Sequence, residues 1–597
     1  MCFPGAGSIF DRLIQSLIDL PRLFNTLRHL RPRQIAFQFF YRATGRLTQN
    51  GARTQVRRKV NSPVLPPLEP PVRDAASALP ERLSEAGFCF LNRTVKFPSS
   101  GTIDWNHAIH GKLWTYNLNY FEFLRQPDLD PATGQALIDS WIAAESTHRD
   151  GWEPYPTSLR LVNWLQFYRC AELPVPGPVQ ASVARQYANL RRKIEYHLGG
   201  NHLLENALAL ALTARYLNDQ PGTRRADRLL YTELRTQYLP DGQHYERSVM
   251  YHLVLLWRQL DVYSWLRTDH SAGELKTALQ RQLAWANYII TPDGRFPHFN
   301  DSAPGIAPEW AAVRKYAEAL RLMAGGGGAL HGPFGRGASH RPDGPATASA
   351  GIRPTEESVP TEGSYFVWQW AADTSEPRGS VSAGTPSPPH HFTPSLWLDL
   401  APIGPDPIPG HAHADSLTFV LHCAGKPLII DPAVSTYEKN ARRAWERSTR
   451  AHNTVTVDGD RNSSEVWGGF RVGRRARTTL LAAGADYLSA SHDGFPATVH
   501  RRSFVLTDGT LRITDLLSGR HTEGTARLHF APGLVPFLNG TVLTVGPATI
   551  NFTGAESIEL FDYQAAVGWN ELRPARGVAV VFSDSLTTEV SGLVEGL

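Results

Sequence analysis

The sequence predicts an α+β multidomain protein, in which an N-terminal α/α array or toroid is followed by a C-terminal antiparallel β-sandwich. A chain of 597 residues is longer than one hydrophobic core usually organises, which predicts two or three domains. Apolar side chains recur at helical spacing up to about residue 320, and short strand-like runs bounded by turn residues follow from residue 364 onward. These patterns divide the chain into a helical half and a sheet half.

The helical half is predicted from strong helix formers and from apolar periodicity. Residues 207–217 are rich in Ala and Leu, and residues 251–260 carry Leu and Trp side chains at helical spacing. Similar segments recur between residues 134 and 290, separated by Pro and Gly clusters at 174–178 and 240–242. Many helices joined by short loops, without strand patterns between them, predict an array or toroid rather than a small bundle.

The sheet half begins after a change of composition near residue 324. A run of glycines and then a Pro/Gly/Ser/Thr-rich stretch predict a linker or long loop. Regularly spaced short strands without intervening helices predict antiparallel sheets packed face to face. The predicted boundaries are an N-terminal helical extension over 1–90, the toroid over 91–325, the linker over 326–363 and the β-sandwich over 364–597.

Composition and charge exclude several classes of function. The net charge of +4 is small for this length, and no dense basic stripe of a nucleic-acid binder is present, so no nucleic-acid partner is expected. The four cysteines lie far apart without CxxC spacing, which predicts neither a disulfide framework nor a cysteine zinc site. The aromatic content of 10% fits stacking on sugar rings, although aromatic side chains also fill cores.

The sequence gives no sign of a membrane span or a secretory signal. No stretch approaches the roughly 20 apolar residues that a transmembrane helix requires. The apolar pattern over residues 10–20 has helical spacing and is interrupted by Asp11, Arg12 and Asp19, whereas a signal peptide needs an uninterrupted apolar core. A cytoplasmic location is therefore favoured over a periplasmic one.

A cluster of potential metal ligands lies at predicted strand ends in the sheet half. His411 and His413 are two residues apart directly before a strand, so in extended backbone both imidazoles project to the same face. Asp431 ends another strand, and His452 opens a third. A His/His/carboxylate set suits zinc or a similar transition metal, but histidines that only form hydrogen bonds at sheet edges would give the same pattern.

Two polar clusters mark helix starts in the helical half. Asn201 precedes an apolar helix as a good N-cap residue, and the free N–H groups of a helix N-terminus attract a carboxylate, although a simple cap is the alternative. Residues 241–252 bring Tyr245, Glu246 and Tyr251 to the start of another helix, which is unusual for a purely structural helix. A tyrosine can act as acid and base only where positive neighbours lower its pKa from about 10.

Seven segments, taken in this order and spacing, resemble the heparinase II/III-like superfamily of polysaccharide lyases, which also includes alginate lyases of similar architecture. The resemblance extends over most of the chain. The segments are 113–121 (LWTYNLNYF), 152–164 (WEPYPTSLRLVNW), 201–206 (NHLLEN), 246–252 (ERSVMYH), 299–302 (FNDS), 410–415 (GHAHAD) and 450–458 (RAHNTVTVD).

The resemblance implies an incomplete (α/α) barrel, a β-sandwich and a cleft between them. By residue-to-residue matching, Asn201 and also His202 would neutralise the carboxylate of the substrate. Tyr251 would be the catalytic tyrosine, and His411 would be the histidine that faces it.

The same matching implies one divalent metal ion with a structural role. Its ligands would be His413, Asp431 and His452, which leaves His411 free for chemistry. Zinc is the expected ion, with manganese and calcium as alternatives, and its loss should damage activity by misplacing His411.

The resemblance implies a carbon–oxygen lyase that cleaves a uronic-acid-containing polysaccharide or oligosaccharide by β-elimination. The candidate substrates are glycosaminoglycan, alginate and exopolysaccharide. The C5 proton of a uronic acid is weakly acidic, and its removal gives an enediolate whose charge must be stabilised. If the proton and the leaving oxygen lie on the same side of the sugar, Tyr251 would serve as base and acid. If they lie on opposite sides, His411 would be the base and Tyr251 the acid.

Further residues are weaker candidates. Trp152, Arg160 and Glu205 are expected to line the cleft and bind substrate. Arg443 or Arg450 would pair with substrate acids. Tyr437 is a candidate for a second tyrosine in the catalytic site.

Two other functions compete with the lyase interpretation. A glycoside hydrolase on the same scaffold would need two carboxylates that flank the bond, for which Glu205 and Glu246 are candidates, but it leaves the tyrosine and histidines without tasks. A non-catalytic glycan-binding accessory protein in exopolysaccharide synthesis would keep the fold and lose the chemistry.

Overall fold

The structure is a computed structural model that describes residues 20–48, 65–76, 82–98, 103–269, 271–291, 294–323, 365–369, 394–423, 425–507 and 509–593. The predicted linker over 326–363 and most of the N-terminal apolar pattern over 10–20 lie outside the described residues. No helix among the described residues is long and apolar enough to cross a membrane.

The helical half contains eleven helices with defined bounds within the described residues. They are α1 (Pro32–Thr48), α2 (Pro70–Ala76), α3 (Lys112–Tyr120), α4 (Pro131–Ala143), α5 (Pro154–Cys170), α6 (Gly177–Leu190), α7 (Gly200–Tyr216), α8 (Gln220–Gln237), α9 (Val249–Leu266), α10 (Ala272–Ile289) and α11 (Trp310–Ala319). A further helical stretch covers residues 20–27, and a small sheet of β1 (Leu83–Ser84), β2 (Gly87–Phe90) and β3 (Arg93–Val95) precedes α3.

The centre of the helical half is built from α5, α7 and α9. Nearly every residue of these helices is buried, which is the behaviour of helices surrounded by other elements. Helix α7 packs against α5, α6, α8 and α9. The alternation of Ala and Leu along α7 permits this close packing, because the short side chains leave room for the neighbouring helices.

Where the structure describes the sheet half, it contains antiparallel strands and one short α-helix, α12 (Ala441–Glu446). The strands are β4 (Tyr365–Gln369), β5 (Ser395–Asp399), β6 (Phe419–Cys423), β7 (Lys426–Ile429), β8 (Val455–Val457), β9 (Val466–Trp467), β10 (Arg471–Val472), β11 (Thr478–Ala483), β12 (Tyr487–Phe495), β13 (Thr498–Thr507), β14 (Thr510–Gly519), β15 (Gly524–His529), β16 (Phe537–Asn539), β17 (Val542–Val545), β18 (Ala548–Thr553), β19 (Ser557–Gly568), β20 (Glu571–Phe582) and β21 (Ser585–Ser591).

Three of the sheets pack around one core. An eight-stranded sheet has the order β11-β12-β13-β14-β21-β18-β17-β16, and two four-stranded sheets have the orders β19-β20-β15-β8 and β4-β5-β6-β7. Strand β13 alternates buried and more exposed residues along its length, as a strand with one face on the core does. Phe366, Phe504 and Val578 come from the three different sheets and belong to one apolar cluster. The predicted fold class, a helical toroid followed by an antiparallel β-sandwich, is confirmed.

The two halves also share apolar packing with each other. Tyr365, Trp397 and Trp569 of the sheet half belong to the core of the helical half. The indole N–H of Trp397 donates to the backbone oxygen of Ile289 at the end of α10, over 2.8 Å. This shared core fixes the position of one half relative to the other, and with it any site that uses residues from both.

Candidate active site

A cavity of about 940 Å³ lies between the two halves. Its walls carry Asn201, His202 and Tyr251 from the helical half, and His411 and Tyr437 from the sheet half. The volume is within the range of roughly 300–1,000 Å³ that is common for ligand pockets in proteins. The four residues predicted to be catalytic therefore line one cavity.

Asn201 reaches the cavity through an unusual turn before helix α7. Gly199 and Gly200 have φ angles of +69° and +55°, a region that favours glycine, and Gly199 rather than Asn201 is the N-cap of the helix. Asn201 lies in the first turn, where its backbone N–H donates to Glu246 Oε1 over 2.9 Å and its side-chain amide donates to Glu246 Oε2 over 3.2 Å. The alternative of a simple cap is therefore wrong for Asn201, which lines the cavity instead.

Gly200 is required because Glu246 approaches so closely. A Cβ atom at position 200 would lie 2.0 Å from Glu246 Oε1. Glu246 is buried, and burial raises the pKa of its carboxyl, while His411 and the backbone N–H of Asn201 act in the opposite direction. The sequence predicted Glu246 only as a candidate carboxylate for hydrolysis, because its position five residues before Tyr251 did not show that it would contact Asn201 at the start of another helix.

Tyr251 brings its phenol to the base of the cavity. Ser248 caps helix α9 and accepts the backbone N–H of Tyr251, which sets the first turn. The Tyr251 hydroxyl lies 3.0 Å from the Tyr437 hydroxyl. Burial raises the pKa of Tyr251 above its ordinary value, and this effect outweighs the opposing influence of Tyr437 and Arg443. The phenol is therefore protonated at neutral pH, contrary to the lowered pKa that a base would need.

His411 packs against Tyr251, with the two ring centroids 4.1 Å apart and the ring planes inclined by 35°. Its Nδ1 lies 2.8 Å from Asp301 Oδ2, and its Nε2 lies 3.2 Å from the amide nitrogen of Asn201. Because ionised Asp301 can only accept, Nδ1 is the donor of this hydrogen bond, and in the neutral imidazole the lone pair lies on Nε2.

Asp301 is held ionised by its surroundings. Both terminal nitrogens of Arg443 donate to its two carboxylate oxygens. Burial opposes ionisation, but Arg443, His411 and His413 together lower the pKa of Asp301 well below its usual range. Arg443 was predicted to pair with substrate acids, and this prediction is wrong, because its guanidinium is buried against Asp301.

His202 stands on the other side of Asn201. Its Nδ1 lies 3.1 Å from Glu195 Oε1, and its ring packs on that of Tyr155 with centroids 4.3 Å apart. Burial would lower the pKa of His202, but the ion pair and hydrogen bond with Glu195 raise it above its ordinary value. An imidazolium at this place would attract a carboxylate.

The predicted substrate-binding residues Trp152, Arg160 and Glu205 do not line the cavity, and this prediction is corrected. Arg160 is fully buried and donates to Gln186 and to backbone oxygens of Asn119 and Gly151. These contacts make it a structural residue of α5.

Glu205 and Trp152 are likewise structural. Glu205 is fully buried, with Arg258 Nε 3.8 Å away, and burial raises its pKa to about 8. The Trp152 indole donates to the backbone oxygen of Glu145. Arg450 pairs with exposed Asp460, over 2.8 Å, and also lies outside the cavity wall.

The predicted metal ligands lie beneath His411. His413, Asp431 and His452 are all buried, and His452 Nδ1 lies 2.8 Å from Asp431 Oδ2. The three side chains whose ligand atoms all lie within 4.8 Å of one another, however, are His413, Asp415 and His452. Each of these three residues also has a buried side-chain atom without a hydrogen-bond partner within the described part of the chain, namely His413 Nδ1, Asp415 Oδ2 and His452 Nε2, so the donor set fits a divalent cation.

A helical half and an antiparallel sheet half that jointly wall a cavity with tyrosine, histidine and asparagine side chains define the class of this two-domain protein. Two family models match this chain, "Heparinase II/III N-terminus" over residues 182–324 and "Heparinase II/III-like, C-terminal" over residues 394–582. The chain belongs to the heparinase II/III-like superfamily.

A curated relative and two solved structures agree with this assignment. A heparin-sulfate lyase from Bacteroides thetaiotaomicron is 23% identical over 373 residues, which is 55% of this chain and 47% of that protein, so the match spans about half of the relative's length. A crystal structure of heparinase III aligns with a TM-score of 0.61 at 16% identity, covering 96% of this chain and 94% of the other. A mutant heparan sulfate lyase from Pedobacter heparinus aligns with a TM-score of 0.52 at 16% identity, covering 94% and 89%. At this identity the structures show the shared fold.

Proposed function

We propose that this protein is a polysaccharide lyase that cleaves a uronic-acid-containing polysaccharide or oligosaccharide by β-elimination. The observation that carries the proposal is the contact between Tyr251 and His411, whose rings come from different halves of the molecule and lie 4.1 Å apart in one cavity. The names of the relatives, heparin-sulfate lyase and heparan sulfate lyase, support an acidic polysaccharide as the substrate class.

Carboxylate neutralisation falls to Asn201 and His202. Both line the cavity, one with an amide N–H and one with an imidazole whose pKa is raised by Glu195. A hydrogen bond and a positive charge at the uronate carboxylate stabilise the enediolate more than the ground state, because the negative charge on that group grows as the C5 proton leaves.

His411 is the base of the proposed reaction and Tyr251 is the acid. The Nε2 lone pair of His411 takes the C5 proton, and the electron pair of the C–H bond moves into the enediolate. The C4–O4 bond then breaks as the C4–C5 double bond forms, and the Tyr251 phenol gives its proton to O4. The raised pKa of Tyr251 supports this division, since it keeps the phenol protonated.

The proposal includes one divalent metal ion, zinc in the first place with manganese or calcium as alternatives. His413 and His452 would hold it together with the carboxylate of Asp431 or of Asp415. When bound, the ion supplies positive charge among buried carboxylates, and the chain's own residues carry every proton-transfer step.

The hydrolase alternative is disfavoured by the position of Glu205. A hydrolase needs two carboxylates on opposite sides of the scissile bond, roughly 5–10 Å apart. Glu205 is fully buried and does not line the cavity, and Glu246 is engaged by the backbone and side chain of Asn201. The predicted pair of Glu205 and Glu246 is therefore not available for hydrolysis, because only Glu246 lines the cavity.

The proposal is tested by incubating the purified chain with a panel of uronic-acid polysaccharides, including heparan sulfate, hyaluronan, chondroitin and alginate. Elimination produces an unsaturated uronate, which absorbs ultraviolet light, together with a new reducing end. Tyr251→Phe should lower kcat by about 10²–10⁴-fold, since it removes a general acid. New reducing ends without ultraviolet absorbance would contradict elimination, and full activity in Tyr251→Phe would remove the phenol from the mechanism.

A further inference from the structure

The helical stretch over residues 20–27 packs on the sheet half through polar side chains. Arg22 Nε donates to Glu465 Oε1 over 2.8 Å, and Thr26 Oγ1 donates to a backbone oxygen of β10 over 3.3 Å. The apolar side chains of the stretch recur at helical spacing and are exposed instead, namely Leu20, Leu23, Phe24 and Leu27. A helix on the surface of a globular protein normally turns its apolar stripe toward the core, so this helix is inverted.

Helix α1 is inverted in the same way. Gln34 Nε2 donates to a backbone oxygen of the sheet half over 3.2 Å, and the Tyr41 hydroxyl donates to a backbone oxygen of the helical half over 2.6 Å. The opposite face of the helix is apolar and exposed, and it carries Ile35, Ala36, Phe39, Phe40 and Ala43. The apolar faces of α1 and of the 20–27 stretch together form what we call the N-terminal apolar surface.

The N-terminal apolar surface extends beyond the cavity between the two halves. One edge of it adjoins that cavity, whose wall includes Leu23, Leu27, Ile35 and Phe39. Three further large side chains of this surface are exposed and lie outside the cavity wall, namely Leu20, Phe24 and Phe40. Phe24 is 65% exposed. Exposed apolar side chains that lie together on a protein surface mark an interaction site.

The charge of the same segment indicates what it binds. Residues 20–43 contain five arginines and neither aspartate nor glutamate. Among the described residues, only Arg22 of these five has a carboxylate partner, which is Glu465. The other four are exposed, namely Arg28, Arg31, Arg33 and Arg42. Arginines next to exposed leucine and phenylalanine side chains are typical of helices that lie in a membrane interface, where the guanidinium groups contact lipid phosphates and the apolar side chains enter the acyl region.

We propose that the N-terminal apolar surface docks on a lipid bilayer that contains anionic lipids. A second copy of the chain is a poorer partner, because a two-fold contact would bring the arginines of both copies into one interface, where like charges repel. An acidic polysaccharide would attract the arginines but would not explain the exposed Leu20 and Phe24. Docking places the edge of the cavity beside the lipid headgroups, and it does not depend on the proposed lyase activity.

Co-sedimentation of the full 597-residue chain with lipid vesicles tests the proposal. Wild type should bind vesicles of phosphatidylcholine mixed with phosphatidylglycerol and should bind vesicles of phosphatidylcholine alone much more weakly. High salt should weaken the binding, because it screens the attraction between the arginines and the headgroups.

A triple arginine variant measures the contribution of charge. Each arginine near an anionic membrane contributes a factor of about five to the partition coefficient, so the loss of three should lower it by about 100-fold. The variant combines Arg28→Gln, Arg31→Gln and Arg33→Gln, which change exposed residues outside the cavity wall. The matched control changes three exposed arginines of α8 and should bind as wild type does; it combines Arg224→Gln, Arg225→Gln and Arg228→Gln.

A second pair of variants measures the contribution of the apolar side chains. Leu20→Ser combined with Phe24→Ser should lower the partition coefficient by about 10-fold or more, because these side chains no longer leave water on binding. Val535→Ser combined with Phe537→Ser is the control, since it changes two exposed apolar residues of the sheet half, and it should not alter binding.

Three results would overturn the proposal. They are an absence of binding of wild type to the anionic vesicles, equal binding to neutral and anionic vesicles, and equal losses in the test and control variants. Sedimentation velocity without lipid should show a monomer, and a dimer that dissociates on Leu20→Ser with Phe24→Ser would assign the surface to a second copy instead. None of these measurements uses a glycan, so a failure of the lyase proposal would be recognised separately.

Discussion

At the scale of single residues, the buried carboxylate of Asp301 contacts three ionisable side chains at the site. It accepts hydrogen bonds from His411 and His413 and is paired with Arg443. Asp301 belongs to the 299–302 segment of the family resemblance, which assigned no role to it. Its function could not be read from the sequence, because the three partners lie more than 100 positions away along the chain.

Replacement of Asp301 by asparagine should lower kcat by about 10²–10⁴-fold with KM close to wild type. An amide has one acceptor group and one donor group, so it cannot accept hydrogen bonds from both histidines. It also cannot neutralise the positive charge of Arg443. Steady-state kinetics on the substrate identified in the panel would measure the effect. An unchanged kcat would show that the orientation of the His411 imidazole does not depend on this carboxylate.

His202 predicts the pH dependence of kcat/KM. Glu195 raises the pKa of His202, so the imidazolium persists above its ordinary pKa of about 6.5 and is lost as the pH rises through the raised value. The attraction for the uronate carboxylate is therefore present at lower pH and declines on the alkaline side. Glu195→Gln should move this decline to lower pH, and His202→Gln should abolish it. A decline that is the same in all three proteins would assign it to another group.

At the scale of secondary structure, the Gly199–Gly200 turn determines where helix α7 begins. Its backbone conformation lets the helix start against Glu246 and turns the Asn201 side chain into the cavity. The sequence predicted the helix correctly, but the cap residue that it offered, Asn201, lies two residues after the observed cap, Gly199. Asn is a frequent N-cap residue, and two consecutive glycines do not reveal which of them caps the helix.

Gly200→Ala should destabilise the fold by about 1–3 kcal/mol, because the residue would adopt a positive φ angle and crowd Glu246. It should also lower kcat/KM by displacing Asn201. Gly177→Ala is the matched control, since it changes a helix N-terminal glycine with open space around it. Chemical denaturation and kinetics would measure both variants. Equal stability and activity in the two would show that the turn tolerates a side chain.

At the scale of the whole molecule, the fold was predictable because periodicity reports burial directly. Helical spacing up to residue 320 and short strand runs after residue 364 both follow from which side chains face a core. The family resemblance allowed us to predict that the proposed catalytic residues lie together in one cavity, whereas Arg160 and Glu205 could not be placed correctly. Polar residues in a helix that is buried on all sides, such as α5 or α7, look the same in sequence as residues that face a cavity.

The shared core between the halves predicts that stability and activity are lost together at the domain contact. Trp397→Ala should lower the free energy of unfolding by about 3–5 kcal/mol, because the indole is fully buried and its N–H donates to Ile289. It should also reduce kcat by altering the distance between Tyr251 and His411. Phe537→Ala, at a side chain that is 67% exposed, is the control and should change neither. Unaltered activity in folded Trp397→Ala would separate the site from this contact.

The mass of the product formed in H₂¹⁸O tests the central claim most directly. Elimination adds no water, so the proposal predicts an unsaturated uronate that is lighter than the saturated hydrolysis product by one water, and the rate of its formation should fall in Tyr251→Phe and in His411→Ala. A saturated product that carries one ¹⁸O atom would contradict the lyase mechanism and would make the protein a hydrolase.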